Sequence, residues 1–129
     1  KAIMEQYPNA IFISVHQNKF GDSRQNGAQI FYGPKNESRQ ELAQLVQQNI
    51  VSMLQPENKR QCKKGKKNLY LIFEAKCPAI LLECGFLSNR EEAKRLADET
   101  YQAQLAFATL RSVIEYLGGE QPAGQIQPQ

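Results

Sequence analysis

Apolar positions along this chain follow two alternating rhythms. The segment "IFISVH", Ile11–His16, is apolar on both faces of a strand. That predicts a central strand covered on both sides. "AQIFYG", residues 28–33, predicts a second strand, "LYLIF", Leu69–Phe73, a third, and "AILLE", Ala79–Glu83, a fourth. Pro78 fits just before the fourth, where no ladder donor is needed. Between these runs the period lengthens. Leu42, Leu45, Val46, Ile50, Met53 and Leu54 recur at helical spacing within residues 36–56, and Pro56 ends that helix. Ser88, three residues ahead of Glu91, predicts a capping box opening another helix. A last helix is predicted from about Glu99. Its buried stripe would be Ala106, Leu110, Val113, Ile114 and Leu117, and its stop Gly118 and Gly119. Residues 1–6 resemble the end of a helix broken by "YPNA", and "NKFGDSRQNG" reads as a loop. Residues 119–129 lack apolar periodicity and predict a disordered tail. Strands alternating with helices make an α/β protein.

Composition narrows this to one domain. The 129 residues, 41% hydrophobic and 22% charged, suit a single globular unit with a real core. No apolar run approaches the roughly 20 residues that span a bilayer. The formal charge of +3 is uneven: "KRQCKKGKK", Lys59–Lys67, holds six of the 16 basic residues and no acid. The remaining ten basic residues face 13 acidic ones, a net of −3. Such a tract reads first as a solvated loop, and second as a contact with an anionic polymer or membrane surface. No aromatic platform accompanies it, which argues against nucleic acid. Cys62, Cys77 and Cys84 have neither a zinc-knuckle spacing nor an even count. At most one pair, such as Cys62 with Cys77, could form.

Two strands end in ionisable groups, where α/β sheets gather ligands. One ends in His16, the only histidine, and the other in Glu83. Alone, each has an ordinary reading, a hydrogen-bonded histidine or a salt-bridged strand end. Together they point to a metal hydrolase: imidazole ligates zinc, the metal polarises a water, and the carboxylate takes its proton. The rival chemistry is a Cys84–His16 nucleophile pair. A buried cysteine is more often a small hydrophobe. Gln17 and Asn18 could orient the ligand or meet the substrate, or merely cap the loop.

"IFISVHQN", "GAQIFYG" and "PAILLECGFLSNREEAKRL…YQAQLA" resemble the zinc-dependent N-acetylmuramoyl-L-alanine amidases of the Amidase_3 family. The likeness runs from about Asn9 to Leu117. Asn58–Arg60 and "KCPAILLECGFLSN" bring it nearest to the germination-specific amidases of spore cortex. The resemblance implies a twisted mixed sheet with helices on both faces. It implies hydrolysis of the amide between N-acetylmuramic acid and L-alanine in peptidoglycan, on the route to muramic δ-lactam. His16 would be a zinc ligand and Glu83 the catalytic base that later protonates the leaving amine. The family's other two ligands, a histidine and a glutamate, have no counterpart here and would lie before Lys1. Residues 1–118 are therefore expected to be the C-terminal part of a catalytic domain whose N-terminal section is missing. Such a piece would not hold a catalytic zinc unaided. The resemblance further implies an extracytoplasmic monomer with a possible activating protein partner. The alternatives are a zinc-free relative that binds peptidoglycan without cutting it, and a basic interaction module.

Overall fold

The computed structural model describes residues 2–7, 9–18, 22–35 and 40–118. The predicted tail, 119–129, lies outside them. Four strands form one mixed sheet: β1 (Phe12–Asn18), β2 (Gln29–Tyr32), β3 (Lys63–Lys64) and β4 (Ala79–Phe86), in the order β1-β4-β2-β3. β1 runs parallel to β4, β2 antiparallel to β4, and β3 parallel to β2. Helices α1 (Ala2–Gln6), α2 (Gln40–Leu54), α3 (Tyr70–Glu74), α4 (Arg90–Ala97) and α5 (Glu99–Gly118) flank it. The α/β class and the mixed sheet with helices on both faces stand as expected. No described helix is long and apolar enough to cross a membrane.

Alternation along β4 divides the core. Ile80, Leu82 and Cys84 face one way, joining Ile30, Leu42, Val46 and Ile50 beneath α2 and α5. Ala79 and Leu81 face the other way, into a smaller cluster with Ile72 and Cys77 under α3. Glu83 continues this second face.

Several expectations need correction. Among the described residues β1 pairs along one edge only, with β4. Apolar residues on both faces report what covers a strand, not what pairs with its edges. Its far end is not even covered, since Val15 is 63% exposed. "LYLIF" is no strand but the one-turn helix α3, with Phe73 N–H donating to the Leu69 carbonyl at 2.9 Å. A five-residue apolar run is ambiguous between a strand and a buried turn, and here the chain must cross from β3 over β2 to reach β4. The basic tract is not all loop: Lys63 and Lys64 pair with Phe31 and Tyr32. Gly65 N–H then bonds the Tyr32 carbonyl. Ser88 does not cap α4. Asn89 does, accepting from Glu92 N–H, while the Ser88 hydroxyl is buried without a partner among the described residues. The predicted α5 stripe is largely outward, with Leu110 and Ile114 56% and 61% exposed; Tyr101, Leu105, Ala108 and Ser112 are the buried face.

Candidate active site

β1 and β4 run parallel and in register, so their carboxyl ends meet. His16 pairs with Glu83, and Gln29 of β2 pairs with Glu83 from the other side. Paired residues share a face, so His16, Glu83 and Gln29 form one row across the sheet, with neighbouring strands about 4.8 Å apart. This row is the candidate site. The sequence-predicted His16 and Glu83 are together in it.

Each member is held differently. His16 is exposed, and its Nε2 shares a 2.7 Å hydrogen bond with the Ser14 hydroxyl, two residues back on the same face. That bond orients the ring and leaves Nδ1 for another partner. Glu83 is half-buried, and its Oε2 is enclosed with no hydrogen-bond partner among the described residues. Burial pushes its carboxyl above the usual glutamate range, and the charge of His16 pulls it partly back. Gln29 is buried; its Nε2 donates to the Gln61 carbonyl and its Oε1 accepts from Arg60 Nη1 at 3.3 Å. Gln29 was not singled out from the sequence, and Arg60 only as the end of the Asn58–Arg60 stretch that carries the resemblance. The only signal for Gln29 was a polar residue opening an apolar strand.

The other predicted residues separate. Asn18 lies past a β-bulge, opposite Phe86, on the His16 face of β1. Gln17 points to the opposite face, where it lines an apolar groove with Ile13, Val15 and Leu110. Strand alternation thus removes it from the row, against the substrate-binding expectation. Cys84 is likewise on the opposite face from His16, and burial pushes its thiol up to about 11, with Glu83 adding to the shift. A Cys84–His16 nucleophile pair is therefore ruled out in this fold: the two groups face apart and the thiolate is disfavoured. All three cysteines are free thiols, so Cys62 and Cys77 do not pair.

The end of β4, just beyond Glu83, is anchored by α4. Glu92 of α4 is buried, and its carboxylate accepts from Phe86 N–H at 2.7 Å and from Gly27 N–H at 2.8 and 3.0 Å. It ties the end of β4 to the loop entering β2. Gly85 permits this approach, because a Cβ there would overlap the Glu92 carboxylate.

A zinc ion would find suitable chemistry in this row, an imidazole nitrogen and an enclosed carboxylate oxygen without a partner. It would not find enough of it. Among the described residues no group of three or more His, Cys, Asp or Glu comes together. A catalytic zinc takes about three protein ligands, so the described residues do not by themselves close a site.

Known proteins share this fold. Residues 1–115 match the family Amidase_3, N-acetylmuramoyl-L-alanine amidase. The germination-specific N-acetylmuramoyl-L-alanine amidase of Bacillus subtilis is 31% identical over 106 residues, covering 82% of this chain and 44% of that protein. The structure of the CwlD amidase from Clostridioides difficile, in complex with the GerS lipoprotein, superposes with a TM-score of 0.86 at 34% identity. That superposition covers 92% of this chain and 60% of that one. An N-acetylmuramoyl-L-alanine amidase from Clostridium difficile 630 gives a TM-score of 0.82 at 29% identity, covering 92% and 63%. The chain thus spans about half the length of the first two curated relatives it matches, 44% and 50%.

Proposed function

The chain belongs to the Amidase_3 family of N-acetylmuramoyl-L-alanine amidases, and from that premise we propose that it takes part in cutting the amide between N-acetylmuramic acid and L-alanine in peptidoglycan. The observation that carries this is the in-register pair of His16 and a half-buried Glu83 whose carboxyl is raised by burial. A carboxylate so placed serves as general base toward an attacking water. As a carboxylic acid it then returns that proton to the leaving L-alanine nitrogen. His16, oriented by Ser14, is a metal ligand in this reading, and Asn18, on the same face of β1, meets the substrate. Zinc bound at His16 would supply the Lewis acid that polarises the water and the scissile carbonyl, with further donors from outside the described residues. Likeness to the germination-specific amidase of Bacillus subtilis supports spore cortex as the setting, and hence extracytoplasmic action. Likeness to the amidase solved with the GerS lipoprotein supports an activating protein partner.

The test is mass spectrometry of cortex peptidoglycan digested by the full-length gene product. Stem peptides freed with an intact L-alanine amino terminus, chelator-sensitive and absent for Glu83→Gln, are the expected result. Cleaved glycan bonds, or release that persists in Glu83→Gln, would sink the assignment. A zinc-free relative that binds peptidoglycan is the second reading, favoured by the shortage of donors among the described residues. It predicts co-sedimentation with the wall and no released peptide.

A further inference from the structure

Arg60 stands apart from the lysines around it. Lys59, Lys63, Lys64, Lys66 and Lys67 are all exposed, whereas Arg60 is half-buried with its guanidinium 5.0 Å from the centre of the Phe86 ring. Its backbone N–H is fixed by Asn58 Oδ1 at 2.9 Å. Nε donates to the Asn26 carbonyl at 2.9 Å, Nη2 to Gln25 Oε1 at 2.7 Å and Nη1 to Gln29 Oε1 at 3.3 Å. Every one of these acceptors is neutral. Of the five N–H donors of an arginine, two are unspent among the described residues, and no carboxylate among them forms an ion pair with it. A partly desolvated cation without a counter-charge is a site for an anion. Five lysines close by in sequence, none in an ion pair among the described residues, deepen the positive field.

Its position says which anion. Gln29 is the register neighbour of Glu83, so a group hydrogen-bonded to Gln29 lies within about 10 Å of the base, two strand spacings away. In an extended peptide the α-carboxylate of the residue after L-alanine reaches about two residue lengths, roughly 7 Å, from the scissile nitrogen. In peptidoglycan that residue is a glutamate joined through its side chain, which leaves its α-carboxylate free. We propose that Arg60 is the anion subsite of the cleft and takes that free carboxylate of the second stem residue. This rests on the peptidoglycan amidase reading above. The bidentate geometry of a guanidinium suits a carboxylate, and Gln29, shared between Arg60 and the catalytic row, holds the subsite at a fixed distance from Glu83. Substrate choice then follows: walls whose second residue is amidated are poorer substrates than walls whose second residue is a free acid.

The experiment compares two soluble muropeptides, disaccharide tripeptides identical except that the second residue is glutamate in one and isoglutamine in the other. Their binding to the full-length protein, with hydrolysis blocked by Glu83→Gln, is measured by calorimetry. The expected result is about tenfold tighter binding of the acid, the scale of one charge-assisted pair. Arg60→Gln should erase the difference by weakening the acid alone. The comparison between ligands needs no variant at Arg60, so it decides the matter even if Arg60→Gln folds poorly. Equal affinity for both peptides overturns the anion subsite and leaves the amidase reading standing. Discrimination that survives Arg60→Gln also overturns it. Binding of neither peptide overturns the amidase reading itself, and the subsite with it.

Discussion

Glu92 is the residue whose removal should cost this fold most per atom. It is buried and makes no ion pair among the described residues, yet its carboxylate is the acceptor for the backbone N–H groups of Phe86 and Gly27. Glu92→Ala leaves two enclosed N–H donors without an acceptor. Each orphaned donor costs about 1–3 kcal/mol. Relief from desolvating a lone carboxylate returns part of this, while loss of an acidic group from the first turn of α4 adds a little. The net expectation is a loss of about 3 kcal/mol, large against a total stability of roughly 5–15 kcal/mol. Glu92→Gln keeps one acceptor oxygen but turns an NH2 toward the second donor, so about 1–2 kcal/mol is expected. Urea unfolding followed by far-UV circular dichroism measures both, with the slope against denaturant unchanged if only the folded state is affected. Amide exchange adds a local readout: Phe86 and Gly27 should be slow in the parent chain and fast in Glu92→Ala. A loss below 1 kcal/mol in Glu92→Ala, or unchanged protection at both amides, would refute the assignment of Glu92 as the tie between β4 and the β2 entry loop.

Gly85→Ala places a Cβ against the Glu92 carboxylate, so it should destabilise by about 2–3 kcal/mol. In a Glu92→Ala background most of that cost should vanish, a non-additivity measurable in the same unfolding assay. Cys84, with its thiol at about 11 and enclosed, should resist iodoacetamide at neutral pH; mass spectrometry that finds Cys84 alkylated in the folded chain would contradict its burial. Glu83 has a carboxyl raised in the fold by burial, so the native state holds its proton more tightly than the unfolded chain does. Stability from this group is then present in acid and is lost as pH rises from the ordinary glutamate range through the raised value. Glu83→Gln should accordingly be more stable than the parent at neutral pH, with the gap closing in acid, and a gap that widens in acid would reverse the sign of the argument.

What the sequence made legible was the ionisable residue near the end of two strands, β1 and β4. His16 and Glu83 stand out because an ionisable side chain closing an apolar run is costly without a partner or a task, and both are local facts. Pairing is not local. Gln29 joins the row only because β2 runs antiparallel to β4 in a register that sets it against Glu83, and no periodicity in "AQIFYG" encodes that. Arg60 was hidden in a tract of like charges, and only the fold separates one anchored guanidinium from five exposed ammonium groups. Helix α5 makes the limit plainest. It carries two apolar stripes at helical spacing, one through Leu110, Val113 and Leu117 and one through Tyr101, Leu105 and Ala108. Hydrophobicity favours the first. The fold buries the second against α2, where Ala108 and Ser112 are fully enclosed. Small side chains let two helices approach closely, and Asn49 on α2 donates to the Ser112 hydroxyl at 2.8 Å. Ser112 satisfies itself as well, its hydroxyl donating to the Ala108 carbonyl at 2.7 Å. The buried face was therefore selected by fit and hydrogen bonding to a neighbour 50 residues or more away in the chain, quantities that exist only once α2 has arrived.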